Sequence, residues 1–137
     1  MGRSGYEDSG FDSQEDQWSY IRYRGALKSA IRGKKGQTFL KELAEELDAM
    51  SVKELVANEL EDGENFCALG VLGNKRGLVM RDIDPDDIEF CAELFNMNEK
   101  LYREIVYIND ECCWHENKKN ERWKKVRKWV DENINKN

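Results

Sequence analysis

The sequence predicts a mainly α fold, a compact bundle of five to six helices, with one short β-hairpin near residues 55–67 as the local alternative to helix. Three observations carry this. Apolar residues recur at three- and four-residue steps through most of the chain. Good helix formers dominate and proline occurs once, at Pro85. The strongest turn signals, the glycines of RGKKGQ, the Asp62-Gly63 pair and Asp84-Pro85, fall between the periodic stretches.

The 137 residues suit one domain with one core, and four Trp, five Tyr and five Phe supply bulk for it. Residues 1–13, MGRSGYEDSGFDS, have little periodicity and read as a flexible acidic tail, leaving 14–137 as a single helical domain.

The first helix is expected from about Glu15 to Ile31, where Tyr20, Tyr23, Leu27, Ala30 and Ile31 make one stripe and Gly33 and Gly36 end it. A second is expected from Thr38, as N-cap, to Met50, with Phe39, Leu40, Leu43 and Leu47 inward. Ser51-Val52-Lys53-Glu54 fits a capping box, which predicts another short helix or turn. LVANEL (55–60) fits helix or strand, and Asp62-Gly63 fits the turn of a hairpin.

Residues 65–78 read as a helix carrying Ala68, Gly70 and Gly73, small residues that let another element approach closely, with Gly77 as its stop. Asp84-Pro85-Asp86-Asp87 reads as a helix start with Asp84 as N-cap and Pro85 at the first helical position. A break near Asn96–Asn98 leads to a helix with Leu101, Ile105 and Ile108 inward. The loop 110–117 leads to a last helix, about Asn120 to Asn135, striped by Trp123, Val126, Val130 and Ile134. Most of the tryptophans are expected inside or half-inside, Trp114 being the most exposed.

Charge is segregated. The net of −6 conceals +7 over residues 17–41, which hold no acid, −14 over 42–117 and +5 over 118–137. Arg22, Arg24, Lys28, Arg32, Lys34 and Lys35 therefore form the candidate binding patch, with Tyr20 and Tyr23 among them. Arginines interleaved with aromatics suit phosphates and bases, and they equally suit a helix whose outer face is solvated. GKKGQT lacks the spacing of a phosphate loop and follows a helix.

No catalytic set is evident. Cys112, Cys113 and His115 lie close in sequence, yet they lack the paired Cys-x-x-Cys spacing of structural zinc and any third group to orient a Cys–His nucleophile. The Asp82–Glu93 acids have Pro85 where a calcium loop needs freedom, and helix capping explains most of them. No metal and no cofactor are expected. No stretch reaches the roughly 20 apolar residues of a membrane span. Four cysteines without paired spacing read as reduced thiols, which places the chain in a cytosol.

CALG (Cys67–Gly70), INDE (Ile108–Glu111), ERWKKVRKWV (Glu121–Val130) and RGALKSAIRGKKGQTFLKEL (Arg24–Leu43) together resemble a family of small bacteriophage and prophage proteins. The resemblance spans most of residues 18–134 and implies no activity and no catalytic residue. It implies an accessory protein in the host-cell cytosol that binds a host protein without catalysis, in the manner of an inhibitor of host defence. Two alternatives stand beside it: a nucleic-acid-binding module using residues 22–35 and the last helix, and a small metal-binding or Cys/His enzyme. CALG and the Asn109-Asp110 pair make structural sense together, and Asn109, Asp110 and Glu111 are also a candidate site beside the CALG helix. The oligomeric state is left open.

Overall fold

The periodic stretches fold as helices in the computed structural model, which describes residues 3–4, 14–111 and 118–135. Among the described residues the order is α1 (Gln14–Arg32), α2 (Lys34–Ala49), β1 (Glu61–Asp62), β2 (Asn65–Phe66), α3 (Ala68–Lys75), α4 (Ile88–Leu94), α5 (Glu99–Asp110) and α6 (Lys119–Asn133). The mainly α class, the helix number and the hairpin all match the expectation. The two strands pair antiparallel, Glu61 opposite Phe66, and Gly63 at φ +64° makes the turn.

α2 is central. It packs on α1, α3 and α6, while α5 packs on α1, α3, α4 and α6. Leu40, Leu43 and Leu47 of α2 meet Leu69 and Leu72 of α3, Tyr102, Ile105 and Val106 of α5, and Val126 and Val130 of α6 in one core. Phe95 and Tyr102 pack with ring centroids 5.8 Å apart.

Glycine in α3 is a packing device. A Cβ at Gly70 would lie 1.8 Å from the Leu60 carbonyl oxygen, and one at Gly73 would lie 2.5 Å from Met80 Sδ. The helix thus seats directly on the chain entering the hairpin. Cys67 is its N-cap, the thiol accepting from the Gly70 amide at 3.3 Å.

Four readings differ from the sequence expectation, each for a local reason, the first being that the helix expected over 65–78 is confined to Ala68–Lys75 because Asn65 and Phe66 pair as β2 with Asp62 and Glu61. α2 begins at Lys34, not Thr38, because Gly33 alone breaks the chain and Gly36 continues the helix, its missing side chain admitting the Ala30 carbonyl. Ser51–Glu54 forms no helix. Lys53 Nζ instead donates to the Asp48 and Met50 carbonyls, closing the end of α2, and the chain runs on extended. Asp84 closes a turn by accepting from the Asp86 amide at 2.9 Å, and the N-cap is Asp87, which accepts from Phe90.

Arg3 and Ser4 also depart from the expected flexible acidic tail: both are buried. The rest of residues 1–13 lies outside the described residues, as do Cys112, Cys113, Trp114 and His115. Of the other tryptophans, Trp123 and Trp129 are half-buried on the core, whereas Trp18 is exposed.

Two glycine substitutions should act in opposite directions in thermal or urea unfolding. Gly70→Ala should lose about 3 kcal/mol or more, because neither the Leu60 backbone nor α3 can yield without losing core contact. Gly25→Ala, in the exposed middle of α1 with nothing near its added methyl, should gain about 0.5–1 kcal/mol.

Candidate functional site

The first candidate is α1. Leu27 turns inward and is buried, which fixes the opposite side of the helix toward solvent. Along that side lie Trp18, Ile21, Arg22, Gly25, Lys28 and Arg32, all exposed, at the three- and four-residue steps of one stripe. Trp18 and Ile21 are 52% and 56% exposed. The stripe starts apolar and ends basic.

The six basic residues of the predicted patch are divided among three settings. Arg22, Lys28 and Arg32 share the stripe. Arg24 is drawn sideways to Glu104 of α5 at 3.3 Å, and Tyr23 sits under Lys100 Nζ at 5.9 Å. Lys34 and Lys35 leave α1 and line a groove of about 800 Å³ between the α1–α2 corner and the α4–α5 loop, floored by Phe39, Phe95 and Leu101. Lys35 donates to Asn96 Oδ1 at 3.1 Å. Arg76 at the groove wall is occupied by Glu42 and the Phe95 carbonyl.

The second candidate, Asn109, Asp110 and Glu111, lies at the C-terminal end of α5 beside the N-terminus of α3. Asn109 is 3% exposed. Its Oδ1 accepts from the Ala68 amide at 3.1 Å, and its Nδ2 donates to the Val56 carbonyl at 2.9 Å and to Asp110 Oδ1 at 2.7 Å. Asp110 accepts in addition from the Asn58 amide at 3.2 Å, which Asn58 presents from the left-handed region at φ +68°. The CALG helix and the Asn-Asp pair are thus joined directly, by side chains capping backbone.

Arg3 enters this cradle, a residue the sequence reading did not single out. Its Nε and Nη2 donate to Asp110 Oδ2 at 2.5 Å and Oδ1 at 3.1 Å, and both side chains are 1% exposed. Burial opposes the Arg3 charge, and the neighbouring Cys67 and Asp110 outweigh it, holding the guanidinium pKa above its ordinary value. Arg103 Nη1 donates to the Ser4 carbonyl. Among the described residues Arg3 Nη1 and Glu111 Oε2 are buried without hydrogen-bond partners.

Tyr102 and Cys91 stand close by. Burial pushes the Tyr102 phenol well above its ordinary value, and Cys67 and Cys91 add to the rise. Burial also raises the Cys91 thiol, whose Sγ lies 3.5 Å from the Asp84 carbonyl. Groups held neutral and buried in this way suit a structural interior better than a nucleophile.

Among the described residues no group of three His, Cys, Asp or Glu side chains could hold a metal ion, and no helix is long and apolar enough to cross a membrane. No family model, curated protein or solved structure matches the chain.

Asn109→Ala should cost about 2–4 kcal/mol in urea unfolding, since the buried Ala68 amide and Val56 carbonyl both lose their partner. Tyr102→Phe should stay within about 1 kcal/mol of wild type at pH 8, because the hydroxyl makes no well-formed hydrogen bond. The folded phenol ionises only above the unfolded value of about 10, so unfolding releases a proton as pH rises past that value and stability falls. The variant should therefore be the more stable of the two at pH 11, as paired urea titrations would show.

Proposed function

We propose that the protein acts by binding and not by catalysis, that the outer stripe of α1 is its contact surface, and that its partner is a host protein presenting acidic groups around an apolar pocket. One observation carries the reading: Trp18 and Ile21 are more than half exposed on a helix whose flanking run, residues 17–41, holds seven bases and no acid. A large apolar pair rimmed by cations is the arrangement of an interface anchor. Ile21 also favours protein over nucleic acid, because an aliphatic side chain offers no ring for base stacking. The resemblance of CALG, INDE and ERWKKVRKWV to phage and prophage proteins supports a host protein as the partner, and inhibition of a host defence component as the consequence.

A photoreactive benzoylphenylalanine at position 25, where added atoms meet open space, should crosslink one host protein in cells. Trp18→Ala and Ile21→Ala should each weaken purified complex formation by about 30-fold, on the order of 2 kcal/mol, with thermal stability retained. The double reversal Arg22→Glu, Lys28→Glu should slow association and flatten its salt dependence. Loss of binding on charge reversal alone, together with salt-dependent binding of duplex DNA or RNA in the 50 mM range, would move the function to the nucleic-acid alternative.

A further inference from the structure

The cradle at the end of α5 is more complete than a stabilising ion pair requires. A buried carboxylate is costly unless its oxygens are saturated. Asp110 receives two donors from the folded body, the Asn58 amide and Asn109 Nδ2, before Arg3 is counted. Asn109 is itself fixed by Ala68 and Val56, so the carboxylate is held in one orientation by groups from three different parts of the chain. The site also lies at the last turn of α5, where the carbonyl end of a helix favours a cation. What remains open on the carboxylate is one edge, and Arg3 meets it with two nearly parallel N–H donors. This is the fork geometry that distinguishes guanidinium from ammonium.

The occupant comes from a different part of the chain than its receptor. Arg3 belongs to no helix or strand, and Arg103 to the Ser4 carbonyl is a backbone anchor indifferent to the side chain at position 3. Among the described residues the Arg3 Nη1 finds no acceptor. A receptor fixed by the folded body, with an occupant from a segment outside helix and strand, is a binding site filled from within the same chain.

We infer that Asp110, oriented by Asn109 and Asn58, is a guanidinium-binding site that Arg3 occupies in cis, and that it takes a guanidinium supplied from solution when the Arg3 side chain is removed. The inference is independent of the α1 surface. It assigns the Asn-Asp pair a ligand class, the arginine side chain, and gives Arg3 the role of a plug.

The test uses the full-length Arg3→Ala protein and ethylguanidinium, with ethylammonium as a cation of the same charge that lacks the fork. Removing Arg3 leaves Asp110 buried without a counter-ion and should lower Tm on the order of 10 °C. Ethylguanidinium at millimolar concentration should raise the Tm of Arg3→Ala in proportion to the logarithm of its concentration. Wild type, whose site is filled, should not respond, and neither should the double variant Arg3→Ala, Asp110→Asn. If Arg3→Ala is unfolded at room temperature, the same titration should restore its helical circular dichroism. The inference is overturned if Arg3→Ala is as stable as wild type, if the two cations act equally, if no recovery occurs, or if the response persists without the Asp110 carboxylate.

Discussion

One buried carboxamide organises this fold. Asn109 accepts from the first amide of α3, donates to the carbonyl of Val56, steadies Asp110, and offers its own backbone carbonyl to Arg122 of α6 at 2.8 Å. Four segments meet on that residue. The bonds to the Ala68 amide and the Val56 carbonyl satisfy backbone groups that would otherwise be buried unpaired, at a cost of about 1–3 kcal/mol each. A carboxylate could accept from Ala68 but not donate to Val56, and an apolar side chain could do neither. The seating of α3 on Leu60, which Gly70 makes possible, is tied as well by the Cys67 amide donating to the Leu60 carbonyl at 3.3 Å.

The segregated charge of the sequence is partly consumed by the packing it directs. The basic last helix is turned toward the acidic middle: Arg122 donates to the Asn109 and Leu55 carbonyls, and Arg127 pairs with Asp48 at 2.9 Å. That hydrogen bond holds the Asp48 carboxyl below its usual range against a small opposing effect of burial. Arg76 bridges Glu42 and the Phe95 carbonyl while lying over the Phe39 and Phe95 rings. Such half-exposed pairs contribute under about 1 kcal/mol apiece and act mainly on geometry, setting which helix faces which. In α1 the same accounting engages Arg24 and leaves Arg22, Lys28 and Arg32 on the outer stripe.

The helices were legible because a 3.6-residue period over a dozen residues has few competing explanations. Boundaries were less so, since a cap is a choice among neighbouring polar residues. Asp84 and Asp87 both can cap, and the inward positions of Ile88, Cys91 and Ala92 decided for Asp87. Asn109 and Asp110 were legible as a pair worth noticing, but what they hold was not. Their partners at Val56, Asn58 and Arg3 lie 53, 52 and 107 residues away, with no local pattern to mark them. Arg3 was hidden further by its setting, the sole base in a Gly/Ser/acid stretch that composition alone reads as tail.

The exposed stripe of α1 has a structural explanation to overcome, that a helix covering a core simply shows its other side to water. That explanation predicts polar residues of both signs outward, because mixed charge solvates a surface and limits self-repulsion. α1 shows Trp18 and Ile21 outward, followed by cations alone. On the proposed reading a partner carrying acids meets these cations and covers Trp18 and Ile21 at the same time. Charge complementarity and apolar burial are thus the two features that the proposed protein partner would have to supply together.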